Sequence, residues 1–404
     1  MLWSLIGLAG VLVVWSLLDG RLQRWHIAPA MALVFAGALV GFATHDSLAL
    51  QLDVEAVEPV LETILAIVLF GHAISIRGGF FGGQSRLALR LLFLAMPLGL
   101  AATVGLAYWL FPTLSWPILL VIACVIVPVD FAPVVSFLHD DRIPLRVRRV
   151  LNVEEGYSDG VIAPVFVFAL AVVGGEHTKA EGVGEALREG LPHLVTAVVL
   201  GVGIGAGVAW IANAADRRGI MTDQSRRVLI LIAPILTYML NVGMDGNGFV
   251  ATFICGIAYN SVREYVDAGR EQELIDDVSF LLAAAMWFVF GACAWIAVKE
   301  GVPLELVVFC VLVLTVVRAV PVVIALWRTS LTRTELTLLA GLGPRGTANI
   351  VLALLAYVTL PDDEAALVLV VAIMVVLGSV LLHGTAGQVL VSRTAVAGTV
   401  AHRQ

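Results

Sequence analysis

Charged residues are scarce in this chain: Asp, Glu, Lys and Arg together make up 14% of its 404 residues, whereas hydrophobic residues make up 60%. Soluble globular domains carry about 25% charged residues, and the mean hydropathy here is +0.98. A composition this apolar excludes a soluble enzyme or a soluble binding module. It predicts a polytopic membrane protein.

Cysteines and clusters of basic residues are scarce as well. The four cysteines lie in apolar segments without a CxxC spacing, which indicates small buried residues rather than disulfides or metal ligands. No basic patch with interleaved aromatic residues occurs, so we expect no nucleic-acid partner. The glycine run from Gly201 to Gly207 follows no strand, so it predicts close helix packing and not a dinucleotide loop. We expect no cofactor.

Long apolar runs dominate the chain instead, with about the 17 to 25 residues that a spanning helix needs. The first run lacks the basic segment and cleavage site of a secretory signal peptide, so we interpret it as a membrane span. The sequence thus predicts an all-α membrane protein of about 13 transmembrane helices. The runs lie near 2–18, 27–43, 57–75, 88–111, 114–138, 150–173, 192–213, 227–243, 248–263, 279–299, 303–326, 335–357 and 364–386.

The distribution of Lys and Arg predicts the orientation of these spans. If the chain crosses the membrane at each run, 19 of the 24 Lys and Arg residues fall on one side, three on the other and two within spans. Cytoplasmic loops carry the excess of positive charge. We therefore predict a transporter domain at residues 1–388 in the plasma membrane, with the N-terminus outside, and a short cytoplasmic tail at residues 389–404.

Two of the predicted spans are interrupted by proline and glycine. The fifth span contains VPVDFAPV, with Asp130 between two prolines, and the twelfth contains GLGPRGTAN around Arg345. Proline removes a backbone donor and clashes with the preceding turn of a helix. Spans five and twelve are seven apart, so they cross the membrane in opposite senses. Helices broken at corresponding places predict inverted repeats with a transport site where the breaks meet.

Three charged residues converge at one predicted depth. Asp130 and Asp159 lie about eight and nine residues from the cytoplasmic ends of their spans, which places them roughly 12 to 14 Å deep at 1.5 Å per residue. Arg345, ten residues into its span, lies at a similar level. Ionisable residues within spans are costly and mark ion or proton pathways. Asp159 and Asp130 are therefore the predicted ligands of a monovalent cation and of the proton, although Asp130 alternatively caps a half-helix.

The remaining buried charges favour structural roles. Arg345 keeps its proton and needs a permanent anion, and Glu154 is the closest candidate by depth, so we predict a structural ion pair between Glu154 and Arg345. Arg318 is expected to pair with a carbonyl group or to reach the interface. Glu155 lies about 100° around the helix from Glu154 and faces either the cytoplasmic funnel or a lipid-accessible mouth.

Two other classes of protein have to be considered. The sequence GYSDG fits the nucleophile elbow of a serine hydrolase, with Ser158 as nucleophile and His72 or His383 as base. That motif works on a strand-to-helix turn in a soluble sheet, so we favour Ser158 as a neighbour of the ion site and both histidines as packing residues. A cation channel would need a filter of carbonyl groups or a charged ring, which the sequence does not contain.

Five segments occur in an order that resembles a known transporter family. They are PVDFAPV, EEGYSDG, GNGFVATFICGIAYN, VVRAVPVV and GPRGTANIVLAL, and they extend over most of the chain. Together they are similar to the monovalent cation:proton antiporters of the NhaP/NHE (sodium/hydrogen exchanger) type. The resemblance implies a homodimer in which a six-helix core with two crossed, broken helices moves against an interface domain.

The same resemblance implies a role for each matching residue. Asp159 matches the aspartate that binds cation and proton in competition, and Asp130 matches the aspartate of the first broken helix. Glu154 and Arg345 match the structural ion pair of the family, and Arg318 matches its penultimate-helix arginine. We expect Ser158 and Glu155 to complete the ion site.

A buried aspartate explains how such a site exchanges two ions. Desolvation disfavours the charged carboxylate, so one group holds either a proton or a cation, and alternating exposure then exchanges them across the membrane. Hard monovalent cations suit oxygen ligands; Na⁺ is the first expected cargo and K⁺ the second. We expect a secondary active antiporter and no enzyme, and exchange is electroneutral if only one carboxylate releases a proton.

Overall fold

The computed structural model describes residues 2–24, 29–43, 54–76, 79–134, 136–173, 183–264, 268–299, 301–387 and 389–391. Every regular element in these residues is helical, which confirms the predicted all-α fold. The helices are α1 (Leu2–Arg24), α2 (Pro29–Ala43), α3 (Val54–Ser75), α4 (Ser85–Leu110), α5 (Trp116–Ile126), α6 (Leu145–Val173), α7 (Val183–Arg217), α8 (Asp223–Val242), α9 (Gly248–Val262), α10 (Ala268–Lys299), α11 (Leu304–Ala325), α12 (Arg333–Gly341), α13 (Thr347–Thr359) and α14 (Asp362–Leu382).

Eight of the described helices are long and apolar enough to cross a membrane: α3, α4, α6, α7, α8, α10, α11 and α14. Five shorter apolar helices, α1, α2, α5, α9 and α13, coincide with the remaining predicted runs. The multi-pass architecture is therefore confirmed, and the count of thirteen crossings stays a prediction. Of the predicted tail, only residues 389–391 lie within the described part, and they are helical.

The close packing predicted for the glycine run occurs between α7 and α9. A Cβ atom at Gly201 would lie 2.5 Å from the carbonyl oxygen of Ala251, and Gly205 faces the backbone of Cys255 in the same way. Only glycine permits the two backbones to approach this closely. All four cysteines are buried and free, as the sequence analysis predicted.

The two predicted interruptions occur where proline and glycine placed them. The helix α5 ends at Ile126 and gives way to a non-helical segment, followed by a single 3₁₀ turn at Ala132–Val134. The helix α12 ends at Gly341, and α13 begins at Thr347 after five non-helical residues. The backbone N–H of Asp130 donates to the carbonyl oxygen of Pro344 at 3.0 Å, so the two breaks touch. The crossed, broken helices are thus observed.

The short helices beside these breaks lie at the centre of the protein. Every residue from Pro117 to Ile126 except Leu120, and every residue from Thr347 to Ala356, is buried. Burial on all sides means that protein and not lipid surrounds these helices. The two breaks are therefore held away from lipid, where their unpaired backbone groups can find partners inside the protein.

Candidate ion site

Asp130 lies at the N-terminal ends of both interrupted helices. Its Oδ1 accepts a hydrogen bond from the backbone N–H of Ala132 at 2.8 Å, and its Oδ2 accepts one from Ala348 at 2.9 Å. The aspartate is fully buried, and a Cβ atom at Gly346 would lie 2.5 Å from its Cγ. Helix N-termini carry partial positive charge that favours an anion. Asp130 compensates that charge at the start of the 3₁₀ turn and at the start of α13. The absence of a side chain at Gly346 leaves space for the Asp130 carboxylate.

Arg345 lies beside the C-terminal ends of α5 and α12, which precede the two breaks. Its Nε donates to the carbonyl oxygen of Ile126 at 2.5 Å, and its guanidinium also donates to the carbonyl oxygen of Gly343 at 2.6 Å. These carbonyl groups are left without helical partners where α5 and α12 stop. A cation at helix C-termini is stabilised by their partial negative charge. Asp130 and Arg345 therefore balance the two kinds of helix end at the crossing.

Asn349 joins the two breaks and was not predicted. Its Nδ2 donates to the carbonyl oxygens of Val125 at 2.8 Å and Pro128 at 3.1 Å, while its Oδ1 accepts from the backbone N–H of Gly346 at 2.7 Å. Its position three residues after the N-cap of α13 was the available clue, since a polar side chain there can reach back to the cap.

The uninterrupted helix α6 brings three polar side chains to the crossing. Asp159 is 2% exposed, and its Oδ1 has no hydrogen-bond partner among the described residues. Ser158 donates through Oγ to the carbonyl oxygen of Val129 at 3.1 Å. Glu155 accepts from the backbone N–H of Phe131 at 2.8 Å. Two of these contacts are to the first break, so α6 and the non-helical segment form one site.

Asp159 also contacts a histidine, His72, which was predicted to be a packing residue. Nδ1 of His72, on α3, lies 3.1 Å from Oδ2 of Asp159. One ligand atom each from His72, Asp130 and Glu155 also lie within 4.8 Å of one another. His383, by contrast, fits the packing interpretation, since it contacts backbone atoms of Gly343 and Ser379.

The predicted pairing of Glu154 with Arg345 needs correction. Both carboxylate oxygens of Glu154 accept hydrogen bonds from the guanidinium of Arg318, on α11, one of them at 2.9 Å. Arg318 also donates to the carbonyl oxygens of Leu339 and Leu342 at 3.0 and 3.1 Å. The prediction matched depths along two helices, but depth does not specify which helix faces which. Arg345 is instead held by the carbonyl groups of the breaks.

A small cavity of about 30 Å³ adjoins the breaks. Its polar lining consists of Glu154, Ser158, Arg318 and Arg345, and apolar residues of α4, α11 and the first break complete it. Ser158 lines this cavity, whereas Asp159 is not among its lining residues and contacts His72 on α3.

Charged side chains cluster beside Asp159. One ligand atom each from His72, Asp130 and Glu155 lie within 4.8 Å of one another, and Nδ1 of His72 contacts Asp159. Carboxylate oxygens are ligands that suit hard cations. The Ser158 hydroxyl donates to the carbonyl oxygens of Val129 and Glu155, which is a different arrangement from the hydroxyl-to-base contact of a serine nucleophile.

Comparison with known proteins identifies the family. The family described as "Sodium/hydrogen exchanger, transmembrane" matches residues 6–393. The chain belongs to the sodium/hydrogen exchanger family. The suspected resemblance is confirmed by this match, and with it the class of activity, which is secondary active exchange of cations for protons and not enzymatic catalysis.

Relatives of the exchanger family share sequence and fold with the chain. A Na(+)/H(+) antiporter of Schizosaccharomyces pombe is 27% identical over 326 residues, which cover 74% of this chain and 67% of that protein. The sodium proton antiporter MjNhaP1 of Methanocaldococcus jannaschii, in a structure at pH 8, superposes with a TM-score of 0.79 at 18% identity, covering 98% of this chain and 99% of that one. A structure of MjNhaP1 from an electron-microscopy map gives 0.72 at 17% identity, covering 97% and 98%. These two likenesses show a shared fold.

Proposed function

We propose that this exchanger binds Na⁺ and H⁺ alternately at Asp159, with Glu155, Ser158 and Asp130 around it. The observation that carries the proposal is that Asp159 is buried while its Oδ1 has no hydrogen-bond partner among the described residues. A buried carboxylate oxygen without a donor is costly. A proton or a cation satisfies it, and the two cannot occupy the same oxygen together.

Competition between the two ions follows from this arrangement. In the protonated form Asp159 is neutral and tolerates burial; in the ionised form it needs a cation to balance its charge. Asp130 has both oxygens engaged by backbone N–H groups, so it supplies negative potential near the site rather than a second exchangeable proton. We therefore propose electroneutral exchange of one cation for one proton.

Sodium is the proposed cargo because the named relatives are described as Na(+)/H(+) and sodium proton antiporters. Potassium is the alternative within the same fold. A channel is not favoured, since the cavity beside the breaks is small and is lined by the ion-paired side chains of Glu154 and Arg318.

The test is proton flux in proteoliposomes that contain a pH-sensitive dye. We expect Na⁺ added outside to dissipate an imposed proton gradient, and K⁺ and Li⁺, added in turn, to establish selectivity. Within the acidic range, a tenfold rise in proton concentration should raise the apparent KM for the cation about tenfold. A KM that does not change with pH would disprove direct competition, and conduction that persists without exchange would indicate a channel.

The proposed assembly is a homodimer in the plasma membrane, with the N-terminus outside and the C-terminus in the cytoplasm. The four native cysteines are buried, so single cysteines introduced into loops report topology with little background. Leu145→Cys, at the arginine-rich start of α6, should react with an impermeant thiol reagent only from the cytoplasmic side. Thr113→Cys is its counterpart on the predicted outer side, and reversed labelling of this pair would overturn the orientation.

A further inference from the structure

We propose that His72 is an internal competitor for the transported cation: its imidazole occupies one oxygen of Asp159, and the cation gains full access to the carboxylate only when that imidazole leaves. His72 is thus a positioning and affinity-determining residue. This inference rests on the proposed function of Asp159 and goes beyond it, because it assigns a role to a side chain of α3.

The geometry places the imidazole where a cation would bind. Nδ1 of His72 lies 3.1 Å from Oδ2 of Asp159, with ligand atoms of Asp130 and Glu155 close by. An ionised carboxylate can only accept hydrogen bonds, so against it Nδ1 acts as the donor. A donor at this oxygen supplies positive potential in the place of a metal ion. The other oxygen, Oδ1, has no partner among the described residues.

The backbone around His72 is held by other helices. Asn260 of α9 donates to the carbonyl oxygen of Ile76 at 2.9 Å, and Gln272 of α10 donates to that of Ile74 at 2.9 Å. The α3 helix also packs tightly on α6, since a Cβ atom at Gly156 would lie 2.7 Å from the side chain of Ile76. With its backbone fixed, the imidazole leaves Asp159 either by side-chain rotation or by separation of α3 from α6.

The two side chains of this contact differ in exposure. The His72 side chain is 21% exposed, whereas that of Asp159 is 2% exposed. The imidazole is therefore the more exposed member of the contact. Because it occupies Oδ2, a cation that coordinates both oxygens of Asp159 has to replace the contact between His72 and Asp159.

Removing the competitor should strengthen cation binding. A hydrogen bond to a charged group contributes enough that its loss changes an equilibrium constant by roughly tenfold or more. We expect His72→Ala to lower the apparent KM for the preferred cation by about tenfold. The cation concentration for half-maximal thermal stabilisation should fall by the same factor, without an increase in maximal rate. A residue with a merely structural role would change folding without this shift in affinity.

A second variant separates the hydrogen bond from the shape of the ring. His72→Phe keeps a planar ring of similar size but has no N–H donor, so it should lower KM as His72→Ala does. His193→Ala removes an exposed histidine of α7 and serves as the matched control, with wild-type KM expected. If His72→Phe keeps the wild-type KM, the ring acts only by filling space, and the proposal is wrong.

The experiment measures sodium-dependent proton flux and sodium-induced thermal stabilisation of purified full-length protein for wild type, both His72 variants and Asp159→Asn. Lower KM in both His72 variants supports the proposal. An unchanged KM overturns it, and a raised KM overturns it by making His72 a ligand instead. If Asp159→Asn still exchanges ions, the proposed function itself fails; if only the His72 variants miss their prediction, the function stands without this inference.

Discussion

The helix α6 carries two buried carboxylates with opposite surroundings. Glu154 has both oxygens bonded to Arg318, whereas Asp159 has one oxygen on His72 and the other without a hydrogen-bond partner among the described residues. The residues are separated by five positions, which turns them about 140° apart around the helix. One faces α11 and the other faces α3. A carboxylate whose bonds are complete stabilises the fold, and one whose bonds are incomplete is available to an ion.

Arginine and histidine also differ as partners. Arg318 keeps its charge at any relevant pH and binds in a bidentate fork, so the Glu154 pair is permanent. His72 offers a single nitrogen to Asp159, and a single hydrogen bond is exchanged more readily for a cation. The same helix therefore combines a fixed anchor with an exchangeable site.

The largest effect is expected from Asp159→Asn, which removes the exchangeable carboxylate. The amide retains the shape of the side chain but neither titrates nor carries charge, so we expect a folded protein with no cation-dependent proton flux and no cation-induced rise in Tm. Flux in proteoliposomes and thermal unfolding check both points. Sodium-driven flux that survives this change would contradict the distinction between the two carboxylates.

On the other face, Arg318→Ala tests the structural anchor. The change leaves the buried charge of Glu154 without its partner, which typically costs about 3 to 5 kcal/mol. We expect a large fall in thermal stability and in yield, with the cation KM of the surviving protein close to that of wild type. A variant with wild-type Tm and lost cation affinity would place Arg318 in the ion site. Arg318→Ala combined with Glu154→Leu removes both charges and should recover part of the stability.

An intermediate effect is expected from Gly346→Ala at the crossing that supports both carboxylates. The added methyl group would lie 2.5 Å from Cγ of Asp130, so the breaks must shift, and forced changes of this kind cost about 1 to 3 kcal/mol. We expect a lower Tm and impaired exchange. Gly207→Ala is the matched control, since no atom lies within 4 Å of its added Cβ. Equal behaviour of the two variants would argue against a tight crossing.

The smallest effect concerns the loop before α6, where the Asp140 carboxylate accepts hydrogen bonds from Arg142, the shorter at 2.7 Å. These bonds hold the pKa of Asp140 below its usual range. Because the folded pKa is the lower one, the contact stabilises the protein above the unfolded pKa of about 3.9 and is lost as pH falls through the folded pKa. The pair is partly exposed, so the contribution is below about 1 kcal/mol.

Thermal unfolding of Asp140→Asn between pH 3 and 7 measures this contribution. We expect the variant to unfold slightly earlier than wild type near neutral pH and to converge with it in acid. If the difference in Tm between the variant and wild type grows toward low pH, the Asp140 contact does not stabilise the protein in the way proposed. The contribution of the partly exposed Asp140 and Arg142 pair to stability thus gives a lower reference value for that of the buried Glu154 and Arg318 pair.

Much of the site was predictable from local features. Two prolines, Pro128 and Pro133, and the glycines around Arg345 predicted both breaks, although a single proline such as Pro164 lies within the continuous helix α6. Asp159 and Asp130 stood out because charge within an apolar run is rare. His72 was assigned to packing because a single histidine in an apolar helix does not reveal its neighbours. Asn349 was missed because Val125 and Pro128, the partners that join it to the first break, lie more than two hundred residues away.

The sequence by itself determined the membrane class, the positions of the spans, the two breaks and the residues that carry charge inside them, because hydropathy, helix interruption and desolvation act locally along the chain. The tertiary structure decided which charges are paired. Whether Glu154 meets Arg318 or Arg345, and whether Asp159 meets His72, depends on which helix faces are brought into contact. That choice is made by the packing of α3, α6 and α11 around the crossing.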